Sequence, residues 1–315
     1  MFNLNHVGRT MKHTLRHSLL CVGIISVGGL IMSAPSFAVD SALPAKPQAQ
    51  SESSQSVQPK VDKQTADAAA EKRKKLLADA TAALAETHNA LKALENKNSG
   101  AALKALAEVT GKLDLIVARD PKLAQTPVAT EVFTYDLLGN LDTIKSVIKD
   151  AKAYLNDGEI QKARPLVANL ASEIQYRTRH IPLATYPAAI KAIAPLIDAG
   201  KIDEAKARLQ AALNTLVVTT DDVIPLPKLR AEHLLKQAQE LAEKKDRSKE
   251  ENDKLAKHLQ AIREQLQMAE LLGYGKKEDF NLIYEQISEI EKKSAGGKSG
   301  TEWFDKIKQQ LSNLF

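Results

Sequence analysis

The chain has 315 residues, a formal charge of +5, a single cysteine and only 4% aromatic residues. This length permits a real hydrophobic core in one or two domains, and its content of Ala, Leu, Lys, Glu and Gln favours helices. One cysteine excludes disulfide scaffolds, zinc fingers, iron–sulfur proteins and cysteine-nucleophile enzymes, while the few aromatics and the modest charge argue against a nucleic-acid partner.

Residues 1–38 have the pattern of a secretory signal peptide. Three basic residues and no acidic one precede an apolar run over 19–32, which is short for a bilayer-spanning helix. Small residues at Ser36 and Ala38 favour cleavage after Ala38; the alternative is an uncleaved membrane anchor. Cleavage would remove the only cysteine, Cys21, and leave a chain of charge +2. A thiol-free exported chain suits the bacterial periplasm.

Residues 39–65 are rich in Ser, Gln, Pro and Ala and have almost no large apolar side chain, which predicts a disordered linker. From residue 66 onward nearly all of the chain is predicted to be helical. The first two helices have apolar stripes over 77–94 and 103–117. A third helix is predicted over 131–156 and should end at Gly158, because glycine adopts the left-handed conformation that stops a helix.

The middle of the chain contains a weak internal repeat. Each copy comprises a turn that ends in glycine, an amphipathic helix, an extended Ile-Pro-Leu connector and a second helix. Gly158 and Gly200 are 42 residues apart, and the connectors at 181–183 and 224–226 are 43 residues apart. Neither helix can bury its apolar stripe alone, so the copies are predicted to stack as helical hairpins.

Residues 228–315 are predicted to form a helical extension in which 17 basic and 16 acidic residues are closely mixed. Over 228–273 the 3-4 spacing suits one long helix or a coiled coil. Ser248–Glu251 has the spacing of a capping box, which suits a hairpin instead; both interpretations stay open. After a further helix over 278–293, the last helix, from Trp303, either docks on its own domain or forms an exposed amphipathic tail.

The sequence contains no complete catalytic or metal-binding motif. Gly297-Lys298-Ser299 lacks the first glycine of a phosphate-binding loop, and Gly273-Tyr274-Gly275 lacks the third glycine of a dinucleotide-binding turn. The histidines beyond residue 38 lack metal-ligand spacing. We therefore predict no catalytic residue, no metal and no cofactor, and we expect that the protein is not an enzyme.

One polar cluster surrounds the first Ile-Pro-Leu connector. Its guanidinium, imidazole, hydroxyl and phenol groups could build a ligand pocket or a pH-responsive contact, since histidine titrates near neutral pH. The alternative is that they cap helix ends and anchor the connector by hydrogen bonds. The polar cluster comprises Tyr176, Arg177, Arg179, His180, Thr185 and Tyr186.

The sequence around this connector resembles the YfdX family of exported bacterial proteins. The resemblance rests on Ile-Pro-Leu at 181–183, Ile-Asp-Ala-Gly-Lys at 197–201, an Ala-rich helix over 203–213 and the Val-Val pair at 217–218. It covers about 130–230 and extends more weakly toward residue 66. The resemblance implies a soluble, helical periplasmic protein associated with stress tolerance and heat resistance, and it implies no catalytic residues.

Together these inferences predict an all-α protein of stacked helical hairpins. Its predicted parts are a signal peptide (1–38), a disordered linker (39–65), a YfdX-like domain (66–227) and a charged helical extension (228–315). The predicted function is chaperone-like or scaffolding binding of envelope proteins during heat or acid stress, without ATP, by transient exposure of apolar helix stripes. Expected partners are envelope clients or further copies of the chain, with no nucleic acid and no stable membrane insertion. The alternative is a module that binds a small ligand or cell-wall fragment through the polar cluster.

Overall fold

The computed structural model describes residues 22–25 and 51–314, most of which are helical. The predicted signal peptide, apart from 22–25, and residues 39–50 of the predicted linker lie outside the described residues. Within 51–314, none of the helices combines the length and apolar character that crossing a bilayer would require.

The described elements alternate helices with a few strands along the chain. The helices are α1 (Glu52–Lys74), α2 (Ala78–Glu95), α3 (Ser99–Arg119), α4 (Leu141–Asn156), α5 (Ile160–Ala168), α6 (Tyr186–Lys191), α7 (Ala194–Asp198), α8 (Ile202–Leu213), α9 (Leu226–Glu243), α10 (Lys249–Leu271), α11 (Lys277–Ser294) and α12 (Asp305–Leu314), with a 3-10 turn at Ala295–Gly297. The strands are β1 (Val22–Ile25), β2 (Gln125–Leu137), β3 (Glu173–Pro182) and β4 (Val217–Pro225).

The strands form one antiparallel sheet in the order β1-β2-β3-β4, so the all-α prediction is wrong, although the fold is mostly helical. In β3 the buried residues Ile174, Tyr176 and Thr178 alternate with half-exposed ones, which is the two-residue period of a strand. β2 is rich in β-branched and aromatic residues, which favour strands. The predicted helix over 131–156 is therefore correct only from Leu141, where Asn140 caps α4 by accepting a hydrogen bond from the Thr143 amide at 2.7 Å.

The two copies of the internal repeat are related through their strands. Each connector lies at or beyond the end of a strand, β3 in the first copy and β4 in the second, and these two strands pair. α5 packs on α4, whereas α8 packs on α2, α6 and α7. The predicted stacking of helical hairpins is therefore not confirmed. Gly158 and Gly200 do end α4 and α7 with φ of 74° and 72°, as the sequence predicted.

The predicted disorder of residues 39–65 is wrong for the part that the structure describes, because α1 occupies it. Ser51 caps this helix by accepting from the Ser54 amide at 3.3 Å. Val57 and Val61 are fully buried, and α1 packs on α9 and β2. A helix with so few large apolar residues is stabilised here by partners that lie far away in the sequence.

Two large cores and two smaller ones organise the described chain, and one of the smaller cores lies under the sheet. The first core lies among α2, α3, α6, α7 and α8, and the second lies among α9 to α12 with Val57 of α1. The core under the sheet joins Ile174 and Tyr176 of β3 to Val61 of α1 and Leu229 of α9. These packed elements hold the sheet between the two helical regions.

The structure decides the two alternatives that the C-terminal sequence left open. α9 and α10 form a hairpin rather than one helix, and Ser248 and Glu251 make both bonds of the predicted capping box. The last helix docks on its own chain: Ile307 and Leu311 are buried in the second core.

Candidate functional site

The sheet has a covered inner face and a half-exposed outer face. Ile174, Tyr176 and Thr178 of β3 point inward, while Gln175 and Arg177 point outward. Strand register then assigns the other outer residues, because paired residues share a face. The outer face comprises Glu131, Phe133 and Tyr135 of β2, Glu173, Gln175, Arg177 and Arg179 of β3, and Val218, Thr220 and Val223 of β4.

The two phenols of the polar cluster are internal anchors. The Tyr176 hydroxyl donates to the carbonyl oxygen of Thr65 in α1 at 3.2 Å, and the Lys72 ammonium lies 5.4 Å from its ring centroid. The Tyr186 hydroxyl donates to the Thr87 hydroxyl at 3.2 Å inside the first core. Burial raises the pKa of both phenols, so both stay protonated and neutral at physiological pH.

Arg177 lies on the outer face in a fixed position. Its guanidinium carbon is 4.5 Å from the centroid of the Phe133 ring, a cation–π contact. The same guanidinium donates to the Tyr135 hydroxyl at 3.1 Å, and its Nε donates to Oε1 of Gln175 at 3.0 Å. These contacts present a pre-organised cation beside aromatic surface.

The remaining members of the polar cluster lie in three different environments. Arg179 forms an ion pair of 2.8 Å with Glu131 on the outer face. Nδ1 of His180 is buried and has no hydrogen-bond partner, and Thr185 is exposed just before α6. Strand alternation thus separates the cluster, with Arg177 and Arg179 on one face and Tyr176 on the other. A small-ligand site in this cluster stays a prediction.

β4 gives the sheet an exposed apolar edge. Among the described strands it pairs with β3 alone, so its other side presents unpaired backbone N–H and C=O groups. Val217, Val218 and Val223 are 39%, 55% and 47% exposed. Val218 lies opposite Arg179 and Val223 lies opposite Gln175, which places both valines on the outer face.

A bulge and two carboxylates shape this edge. The register between β3 and β4 shifts between Tyr176 and Arg177. Asp221, at the shift, accepts hydrogen bonds from the hydroxyls of Thr178 and Thr219, and Asp222 forms an ion pair with Lys72. Bulges and charges at edge strands limit uncontrolled pairing with other chains. The part of β4 before the bulge, Val217–Thr220, keeps regular pairing with β3 and is therefore the part of the edge that can accept a further strand.

Arg230 joins the sheet to the C-terminal helices, and no motif in the sequence signals it. The side chain of this α9 residue is only 1% exposed. It donates to both carboxylate oxygens of Asp136 in β2, at 3.0 and 2.7 Å, and to Oε1 of Gln58 in α1, at 3.1 and 2.8 Å. Three elements therefore meet at one buried guanidinium, which fixes the orientation of the sheet.

The outer face and the β4 edge carry groups that suit binding. Edge-strand backbone groups, exposed valines and a fixed arginine beside aromatic rings suit recognition of another chain. Among the described residues there is no group of three or more His, Cys, Asp or Glu side chains arranged to hold a metal ion.

Comparison with known proteins identifies similarity over the region that contains β2, β3 and most of β4. Residues 83–222 match the family model described as YfdX protein. A solved structure of YfdX from Salmonella Typhi is similar over 48% of this chain and 91% of that chain, with 15% identity and a TM-score of 0.31. No curated protein matches the sequence.

Proposed function

We propose that this chain, whose residues 83–222 match the YfdX family model, protects envelope proteins by binding their unfolded segments without ATP. The observation that carries the proposal is the exposed, nine-residue β4 edge with its three valines. The expected partners are unfolded client proteins or further copies of the chain. No catalytic residue is assigned.

An edge strand suits clients of many sequences. A client segment in extended conformation adds as a further strand, and its backbone supplies most of the hydrogen bonds. Backbone groups are the same in every protein, so this mode of binding does not require a sequence motif. Val218 and Val223 then add contact with apolar side chains, which become exposed when a client unfolds.

Transient exposure of apolar helix stripes is not needed for this mechanism. The β4 valines are already exposed in the folded chain. Arg177, held against Phe133, offers a cation to acidic or aromatic client side chains on the same face. The mechanism therefore places binding on the sheet rather than on separating helices.

The proposal includes export to the periplasm and removal of residues 1–38 after Ala38. Removal would also take away β1, which pairs with Thr134–Leu137, and would open a second, shorter edge on β2. Mass spectrometry of the protein from a periplasmic extract is expected to give an N-terminus at Val39. A chain that keeps Met1 and stays in the cytoplasmic fraction would contradict this part of the proposal.

The test of binding is suppression of aggregation of citrate synthase during warming. The wild-type chain is expected to reduce light scattering at stoichiometric amounts. The variant Val218→Lys/Val223→Lys is expected to lose most of this effect, because charge replaces the apolar contact at the edge.

A matched control is provided by Leu115→Lys/Leu282→Lys, which changes the charge equally at two side chains that are each 52% exposed on helices. This control should suppress scattering as the wild type does. Equal loss in both variants, or no suppression by the wild type, would contradict the proposal.

A further inference from the structure

An open groove lies between α4 and the C-terminal end of α10, away from β4. Its volume is about 490 Å³, within the range of small-molecule sites. Apolar and basic side chains divide it into a floor and an edge. The floor comprises Ile148 and Leu271, and the basic edge comprises Lys145, Lys149 and Lys152.

The helical period of α4 produces this division. Ile144, Val147 and Ala151 face inward and are buried. Lys145, Lys149 and Lys152 follow one another in steps of four and three residues, so their side chains line one face of the helix. Ile148 lies between the two sets and contributes to the floor.

The floor extends a packed apolar region. Ile148 and Leu271 pack at the margin of a small core that contains Leu137, Ile144 and Met268. Because Leu271 belongs to α10, outside residues 83–222, the groove combines the family-matching region with the C-terminal helices.

The positive charge of the edge is largely uncompensated. Among the described residues, Lys149 and Lys152 form no ion pair. Lys145 lies 3.4 Å from Asp142, and both side chains are well exposed, so this pair is screened by solvent. The groove therefore offers cations directly above an apolar surface.

We infer that this groove binds a single-chain anionic amphiphile. The alkyl chain would lie on the floor of Ile148 and Leu271, and a carboxylate or phosphate headgroup would bind the lysine edge. A groove of about 490 Å³ has room for a single alkyl chain. The two parts of the ligand complement those of the groove: the apolar chain matches the apolar floor, and the negative headgroup matches the lysine edge.

Calorimetric titration with dodecanoate, below its micellar concentration and at low salt, tests the inference. Lys149→Glu/Lys152→Glu should weaken binding about tenfold or more, since attraction is replaced by repulsion at two sites. Lys92→Glu/Lys104→Glu is the matched control, because both lysines are exposed on other helices. The control should bind as the wild type does, and circular dichroism should show that all three proteins are folded.

Two further ligands test the contributions of the headgroup and of the alkyl chain separately. Acetate, which lacks the chain, and dodecyl maltoside, which lacks the charge, should each bind much more weakly than dodecanoate. Equal affinity for dodecyl maltoside, or equal loss in both lysine variants, would overturn the inference. Binding to anionic phospholipid vesicles without binding of monomeric dodecanoate would also overturn it, because the site would then recognise a membrane surface. None of these outcomes depends on client binding at β4.

Discussion

The family-matching region exposes several large apolar side chains, whereas the C-terminal helices bury nearly all of theirs. In α9 to α12, Leu282 is the single exposed large apolar side chain among the described residues, and Phe280, Ile287 and Phe304 are fully buried. The region from α3 to β4 exposes several, including Leu155, Ile160, Val167 and the three β4 valines. Under the proposed function, the C-terminal helices stabilise the fold, and the exposed side chains of the sheet region provide the binding surface.

The largest expected effect comes from a substitution that breaks the link between the two regions. Arg230→Ala removes the guanidinium that joins α9, β2 and α1 and leaves the Asp136 carboxylate without this partner. We expect the free energy of unfolding in urea to fall by about 3 kcal/mol. Arg73→Ala, at an exposed position on α1, should change it by less than about 0.5 kcal/mol. Similar small losses in both variants would contradict the proposed link.

The next effect concerns the C-terminal helices alone. Arg247 donates to the carbonyl oxygens of Leu241, Ala242 and Lys244 at 2.9–3.1 Å, and to that of Lys298 at 2.7 Å. Arg247→Ala should lower the free energy of unfolding, measured by thermal denaturation, by about 2 kcal/mol. The reason is that several carbonyl groups lose a charged donor. Arg247→Lys should restore little of it, since an ammonium group cannot reach all these carbonyls. Full rescue by lysine would show that charge alone matters.

A pH effect should also arise in the C-terminal helices. His258 is buried in α10, neither ring nitrogen has a hydrogen-bond partner, and burial lowers its pKa, with Lys254 adding to the effect. The unfolded chain then binds more protons than the folded chain, so stability is lost as pH falls below the ordinary histidine pKa of about 6.5.

The slope attributable to His258 is at most about 1.4 kcal/mol per pH unit. His258→Leu should raise stability and flatten the slope between pH 7.5 and 5.5, as measured by urea unfolding. Burial also lowers the pKa of His233, so His233→Gln is the comparison variant and should change the slope less. An unchanged slope in His258→Leu would contradict this assignment.

The smallest expected effect on stability is that of the β4 valines, and it tests whether they serve binding rather than the fold. Val218→Lys/Val223→Lys should change the free energy of unfolding by no more than about 0.5 kcal/mol, because both side chains are exposed. Large destabilisation measured in urea would mean that these valines support the fold rather than bind partners.

The C-terminal helices could be predicted well because their signals are local. Apolar residues recur at helical spacing, and the capping box at Ser248 marks the start of α10. The choice between a long helix and a hairpin still required the structure, since polar positions such as Lys245 and Asn252 keep the same spacing. Local signals therefore gave the helices but not their arrangement.

The sheet region was predicted less well because its stability depends on distant contacts. The alternation in β3 is visible in the sequence, but it competes with helical interpretations of the flanking segments. α1 is stabilised by contacts such as that of Gln58 with Arg230, which are 172 residues apart. No local pattern reports such a contact.

The candidate site was predicted only in part. Two members of the polar cluster, Arg177 and Arg179, lie on the outer face, and Val218 entered only through the family resemblance. Phe133, Tyr135 and Val223 were missed because strand pairing, rather than sequence proximity, brings them onto the outer face. The β-branched content of 217–224 was the available signal.

Site-specific photo-cross-linking tests client binding at β4 most directly. Cys21 is the only cysteine, so a Cys21→Ser background permits a single benzophenone label at Val218→Cys or, as a control, at Leu282→Cys. During warming with citrate synthase, we predict client adducts from position 218 and few or none from position 282. Equal adducts at both positions, or adducts from position 282 alone, would contradict the assignment of binding to the sheet edge.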